Sequence, residues 1–533
     1  MRQNPDYQKL RGGYYTPASV SEFIVKWGLT SSTHYILEPS CGDGSFLRAI
    51  KGQLDDCDAG EKNVYAVELD PAESQKASLF GFEVVNSDFF EVSAQLTTDH
   101  AVDLVVGNPP FIRYQNFDEE SRALAFDQLR VAGFNPTKLT NIWVPFLLLS
   151  ALSLSENGRL GMVIPAELLQ VNYAQECREF LAKYFSKVTI VSFRQLLFEG
   201  AQQEVVLVLA EKSPARSLGI CFVELNDASD LRSFSPDSIP AAEYSHPGAD
   251  GKWTRFYVTA SERELLDKVS SSERVVPTVK LFDTNVGVVS GENKFFVIDD
   301  ATVKQWGLEK HVSPIVSKTD NLKGLSFDDR DFCDLVESGK KVFLLELNDS
   351  SQLDGNVAKY IQYGVEQGYC ENYKCRIRTN WYCVPISWRP NGFALRQVGK
   401  FPRIIVNKTI ATSTDTVHKV RFHEDVDAEV VAAAFINSYT FALSETIGRS
   451  YGGGVLTFEP SEIRLLRIPL ANTDSIDFAK IDALLREGRI EEALDLNDKV
   501  LLCDGLGLSW EEVLALRSAW KKLSGRRLNR RSK

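Results

Sequence analysis

Four consecutive residues, Asn108-Pro109-Pro110-Phe111, follow an apolar run that begins at Val102. Their types suit an exocyclic amine on an aromatic ring, a poor nucleophile because its lone pair is delocalised. The Asn108 side-chain carbonyl and the Pro109 backbone carbonyl can accept both N–H protons and draw the nitrogen towards sp³. Pro110 lacks an N–H and has a fixed φ, which helps the Pro109 carbonyl turn into a site. Phe111 offers a flat face on which a base extruded from a duplex can stack. No general base is needed ahead of transfer, since the positive charge can leave as a proton afterwards; the remaining demand is in-line positioning. No Pro-Cys dipeptide occurs, so covalent attack on a cytosine ring lacks its nucleophile. As plain structure, Asn-Pro-Pro is a good turn and Phe111 a core candidate.

Three acids precede this motif in a regular order. Gly42 and Gly44, in Glu38-Pro-Ser-Cys-Gly-Asp-Gly, permit a tight turn whose N–H groups approach a ligand closely. The turn holds no Lys or Arg, and Glu38 would repel a pyrophosphate. A phosphate-free cation such as S-adenosylmethionine fits, with Glu38 near its charged methionine end. Glu68 ends the next apolar run, where a carboxylate can hold both ribose hydroxyls. Asp88 ends the third, placed to accept from an adenine amino group, with Phe89 packing on that ring. Each acid alone reads equally as a cap or a surface group; the repeated placement at the ends of successive runs makes a site.

Such placement requires strands. Short apolar runs at 35–37, 64–67, 83–85, 103–106, 160–164, 188–192 and 204–210 read as buried parallel strands, with helices at 19–27, 44–52, 119–132 and 175–184. This alternation predicts an α/β, doubly wound, Rossmann-like sheet with its site at the carboxyl ends of the strands; the class I S-adenosylmethionine-dependent methyltransferase version of it is what the family resemblance given below implies. The stretch from Ile142 to Leu154 reads as a buried helix, and the Ser-, Pro- and Gly-rich 213–250 as a loop-rich connection. The expected domains are a catalytic one over 1–250, a mixed α+β recognition domain over 251–470, and a helical segment with a basic tail over 471–533. Asp474 and Ser509 are candidate N-caps in that segment, Ser509 with Glu512 three residues on.

On these residues the chain resembles the γ class of amino-methyltransferases, the TaqI-like adenine-N6 DNA methyltransferases of type II restriction–modification systems. The order is Gly13-Tyr-Tyr-Thr-Pro, the Glu38 turn, Glu68, Asp88-Phe89, then Asn108-Pro-Pro-Phe. The resemblance is strong over 11–212 and continues weakly through 281–291 and 437–470. It implies that Thr16, Pro17, Glu38, Ser40, Glu68, Asp88, Phe89 and Pro110 form the cofactor pocket, and that Phe198 supplies a second aromatic stacking on the target base. Many relatives carry Tyr at the position of Phe111, which preserves stacking and loses only a hydroxyl.

The later half supplies candidate DNA contacts. Residues 371–420 carry nine basic groups against Glu371 and Asp415, although the whole chain has a net charge of −12. Arg376, Arg378 and Asn380 alternate with other residues as if on one strand face, suited to guanine, phosphate and adenine contacts. Asn407 and Lys408 follow an apolar run, and Arg449 enters a Gly-rich loop. For each of these a solvated surface role competes. The last thirteen residues hold seven Lys or Arg and no acid, a tail that reads equally as a frayed terminus.

Nine irregularly spaced cysteines and six scattered histidines argue against disulfides and a metal site. No apolar run is long enough to span a bilayer, so a cytoplasmic, membrane-free chain is expected. It is expected to act as a monomer on double-stranded DNA, alongside a separately encoded restriction endonuclease. Asn-Pro-Pro-aromatic also serves enzymes that methylate protein glutamine or RNA, but those need no long C-terminal domain. A catalytically silent homologue would not need its acids and Asn108 intact, and no convincing nuclease motif is present.

Overall fold

The computed structural model describes residues 16–31, 34–54, 63–99, 101–112, 114–197, 204–214, 217–246, 252–347, 353, 355–450 and 454–528. The chain divides into two compact units between Tyr257 and Val258. The C-terminal helices belong to the second unit, so the separate helical segment expected from 471 onwards is part of that body.

The first unit is built on eight strands: β1 Ile36–Glu38, β2 Val64–Val67, β3 Val84–Val85, β4 Val102–Gly107, β5 Leu154–Pro165, β6 Lys187–Phe193, β7 Val205–Glu211 and β8 Gly219–Leu225. Their order is β3-β2-β1-β4-β5-β7-β6-β8. From β3 to β5 all neighbours are parallel, while β7 runs antiparallel to both β5 and β6, which corrects the parallel reading of 204–210: an apolar run marks a buried strand but not its direction. Strand order reverses between β1 and β4, so the loops leaving these two strands diverge and open a crevice at their carboxyl ends. Strand β8 pairs parallel with β6, which corrects the loop reading of 213–250. Gly-Ile-Cys-Phe-Val is a short apolar run whose polar flanks concealed it, and pairing with β6 decides its conformation.

Helices cover both faces. Helices α1 Ala18–Gly28, α2 Ser45–Leu54 and α3 Pro71–Ala77 supply Ile24, Phe46 and Ala77 to one apolar core. Helices α4 Phe89–Asp99, α5 Glu119–Val131, α6 Trp143–Leu152 and α7 Gln175–Tyr184 supply Phe90, Phe126, Leu147 and Leu181 to the other. Helix α6 is buried from Trp143 to Ala151, as an all-round apolar helix must be. No single described helix is long and apolar enough to cross a membrane.

The second unit centres on a five-stranded sheet in the order Phe282–Asn285, Val417–Phe422, Gly392–Leu395, Ile404–Asn407, Ser326–Phe327. A four-stranded sheet and the helices Phe478–Arg486, Ile490–Asn497 and Trp510–Leu528 complete it. The last helix starts as expected: the Glu512 N–H donates to Ser509 Oγ, and the Ser509 N–H to Glu512 Oε2. The helix at 478 is capped by Asp477, which accepts from the Lys480 N–H, and not by Asp474. Asp474 lies in a separate short turn.

Candidate functional site

The turn between β1 and α2 is built by its glycines. Gly42 and Gly44 adopt φ of 53° and 84°, a left-handed region costly for residues with a Cβ. A side chain at Gly44 would meet the Phe80 ring at 2.7 Å, whereas one at Gly42 would meet nothing within 4 Å. The turn is therefore closed below by Phe80 and open above at Gly42.

Glu68, at the end of β2, closes one side. Its Oε2 accepts the Gly42 N–H at 2.8 Å and its Oε1 the Asp70 N–H at 2.8 Å. These bonds fix the carboxylate and leave each oxygen a further lone pair. Burial raises its pKa, with the two N–H donors opposing. Asn86, from the end of β3, donates through Nδ2 to the backbone carbonyls of Glu68 and Leu69. The tips of β2 and β3 are tied together in this way. Leu69 is 66% exposed, an apolar side chain beside the fixed carboxylate. Sequence reading passed over it because a single exposed leucine carries no pattern.

Glu38, at the tip of β1, is 1% exposed. Burial pushes its pKa well up, and the negative charges of Glu68 and Asp43 add to that. Among the described residues, its buried Oε2 and the buried Oγ of Ser40 have no hydrogen-bond partner. Leaving such groups buried and unmatched costs about 1–3 kcal/mol each, and a bound ligand with N–H or O–H donors removes that cost. Three acids with no basic residue acting on Glu38 among the described residues favour a cation over a phosphate, so this donor set fits S-adenosylmethionine.

Asp88 precedes α4. Its Oδ1 accepts the Phe90 N–H at 2.9 Å, and its Oδ2 accepts the hydroxyl of Ser121 from α5. Ser121 is distant in sequence, so no local signal could have indicated it. Phe89 is buried and stacks on Phe146 of α6 with ring centroids 5.1 Å apart, so most of its surface serves the core. Thr16 is buried, and the Pro17 carbonyl accepts the first N–H groups of α1, from Val20 and Ser21.

The Asn108 loop leaves β4 beside the β1 tip: a Cβ on Gly107 would lie 3.4 Å from Pro39. Asn108 is half-buried and its Oδ1 is shielded from solvent. Pro109 is buried, Pro110 half-buried, and Phe111 packs partly into both cores. Beyond Phe111, the Ile112 carbonyl accepts the Ile142 N–H at the start of α6, which fastens the loop at its far end. The structure thus brings Glu38, Ser40, Gly42 and Glu68 around one turn and sets Asn108 next to it. Phe198 lies outside the described residues.

In the second unit several of the expected DNA contacts bond to the protein itself. No strand forms at 376–380: Tyr373–Arg376 is a short helix, and Arg378 and Asn380 lie in the bends after it. Arg378 donates inward to the Val289 carbonyl at 2.9 Å. Asn407 is buried, with Nδ2 on the carbonyls of Pro390 and Ala411 and Oδ1 accepting from Thr409. It fastens a turn. Lys408 pairs with Glu429 at 2.7 Å and Arg449 with Glu462 at 2.7 Å. Arg389, Arg396, Arg403 and Lys419 are likewise held by Glu346, Glu459, the Leu322 carbonyl and Ser387. Of the nine cations only Lys374, Arg376 and Lys400 lack a hydrogen bond or ion pair through their side chains among the described residues. In the basic tail, Arg527 is buried against Glu445, and Lys521 pairs with Glu491. That described part is packed, not frayed.

The three-layered sheet with its acid-lined turn is the fold of a class I methyltransferase. Comparison with known proteins carries the assignment further. Residues 1–235 match the N-6 DNA Methylase family, and residues 250–502 match the C-terminal domain of the type II methyltransferase M.Eco57I. The type II methyltransferase M.AccI of Acinetobacter calcoaceticus is 23% identical over 486 residues, covering 86% of this chain and 85% of its own. M.XamI of Xanthomonas campestris pv. amaranthicola, also a type II methyltransferase, is 23% identical with the same coverage. Among solved structures, the type IIL restriction–modification enzyme MmeI in complex with DNA has a TM-score of 0.59 at 11% identity, covering 96% of this chain and 75% of that one. The chain belongs to the N6-adenine DNA methyltransferases of restriction–modification systems.

Proposed function

We propose that the chain transfers a methyl group to N6 of an adenine flipped out of a short, specific duplex sequence, by the arrangement of the γ class. The observation that carries this reading is the position of the Asn108-Pro-Pro-Phe loop at the tip of β4, beside the acid-lined turn of β1. S-adenosylmethionine, when bound, supplies an electrophilic methyl group on a sulfonium. Glu38 and Ser40, with Thr16 and Pro17, hold its methionine end; Glu68 holds the ribose; Asp88, Leu69, Phe89 and Pro110 surround the adenine. Phe111 and Phe198 stack on the target base. Asn108 Oδ1 and the Pro109 carbonyl accept its two amino protons, which localises the nitrogen lone pair for in-line attack. As the N–C bond formed, the methyl–sulfur bond would break with its electron pair left on sulfur, and the cationic nitrogen would then lose one proton to water.

The type II designation of M.AccI and M.XamI supports a protective role beside a separately encoded endonuclease. We read the chain as a cytoplasmic monomer that modifies each strand in turn. Modified-base sequencing of DNA from cells expressing the chain tests this: N6-methyladenine at one short sequence is expected. A mark found only on RNA or protein, or a pattern unchanged by Asn108→Ala, overturns it.

A further inference from the structure

Lys374 and Arg376 stand out because neighbouring cations are committed elsewhere. They lie on one short helix, Tyr373–Arg376, and both are exposed. Tyr373 and Ile377 flank them, 64% and 59% exposed, and the Lys374 ammonium lies 5.8 Å from the Tyr373 ring centre. Two large apolar side chains and two unpaired cations thus share one tip, on a chain whose net charge is −12.

The tip is held by bonds that reach the adjacent loop. The Arg378 guanidinium donates to the Val289 carbonyl at 2.9 Å, and Asn372 Nδ2 to Glu292 Oε2 at 3.0 Å. Gly291 fits closely under the helix, where a Cβ would lie 2.9 Å from Lys374 Cβ. Cys375, between the two cations, is buried. Side chains that must bind give up less entropy when their backbone is already fixed. A solvated surface would not require this bracing, nor would it favour exposed Tyr and Ile.

We infer that this tip is a duplex-DNA contact, with Lys374 and Arg376 on backbone phosphates and Tyr373 and Ile377 against sugar and base edges. The inference rests on the DNA-methylation reading and assigns the contact within the second unit. Phosphate is the complement of paired exposed cations, and cations that neutralise phosphates release condensed counterions. The binding constant then depends on salt in proportion to the contacts made.

The test is the salt dependence of binding to a duplex carrying the sequence methylated by the wild-type protein. Lys374→Ala/Arg376→Ala is expected to weaken binding about tenfold or more and to reduce the slope of log affinity against log salt by about 2. Tyr373→Ala should weaken binding with the slope unchanged, and Arg376→Lys should retain the slope. All three positions carry exposed side chains, so thermal midpoints and cofactor affinity should stay at wild-type values. Lys304→Ala/Lys310→Ala removes the same charge elsewhere in the second unit and should leave the slope intact. A wild-type slope in the Lys374/Arg376 variant, or an equal fall in the Lys304/Lys310 variant, overturns the inference while the DNA reading stands. A wild-type protein that binds no DNA overturns the DNA reading itself.

Discussion

Two buried glutamates, one in each unit, share a desolvated setting and differ in what surrounds them. Glu445 accepts from the Arg527 guanidinium at 2.8 Å, and Arg527 also donates to the Gly454 carbonyl. Burial raises the Glu445 pKa and the arginine opposes it. Among the described residues no cation acts on Glu38; burial raises its pKa and its neighbours Glu68 and Asp43 push it further up. The first arrangement is complete within the chain, so it serves packing. Among the described residues the second lacks a positive charge and a donor to its Oε2, as the proposed cofactor site requires. Buried polarity by itself distinguishes neither; the presence of a partner does.

The comparison can be broken first where it is strongest. Glu445→Ala leaves Arg527 buried without its counter-ion, and about 3–5 kcal/mol of stability should be lost. Urea unfolding measures this, and a loss under 1 kcal/mol would show that the pair is not needed for packing. Asn108→Ala should reduce methyl transfer by about 100-fold or more, with cofactor affinity nearly unchanged by calorimetry. Equal losses in both would mean that Asn108 holds the cofactor and not the base. Asn407→Ala frees two buried carbonyls and should cost about 1–3 kcal/mol, while the methylated sequence stays the same in modified-base sequencing. A changed sequence would return Asn407 to the DNA-reading surface.

Glu38→Gln sharpens the contrast through pH. A carboxyl whose pKa is raised by folding contributes stability that is full below the unfolded value, near 4.5, and is lost as pH rises through the folded value. Glutamine does not titrate, so the thermal midpoint of Glu38→Gln should overtake that of wild type progressively from pH 5 to 8. Cofactor affinity should fall about tenfold at the upper end, where the missing carboxylate would face a cation. A midpoint difference that shrinks with rising pH would contradict the burial argument.

The first unit was legible because Glu38, Glu68, Asp88 and Asn108, the main candidates for its site, each stand at or just beyond the end of a strand. Strand ends follow from apolar runs, and the crevice from strand order, so Glu38, Glu68, Asp88 and Asn108 could be ranked by position alone. The recognition unit has no such rule. Arg376, Arg378 and Asn380 alternate in sequence as a strand would, yet packing of Cys375 and the Arg378 bond to Val289 favour a short helix and a bend. Arg378, Arg389, Arg396, Arg403, Lys408, Lys419 and Arg449 instead hold carbonyls, acids or a hydroxyl 13 to 89 positions away.

The sequence by itself determined the parallel strands β1 to β5, the glycine turn and the residues that meet at the β1 and β4 tips, because local propensity and apolar periodicity agree there; β8 and the reversed direction of β7 came only from pairing with β6 and β5. The tertiary structure alone decided which cations are spent and which are free. Pairings such as Arg527 with Glu445, or Arg378 with the Val289 carbonyl, join residues 82 and 89 positions apart, and no local pattern encodes a partner at that distance.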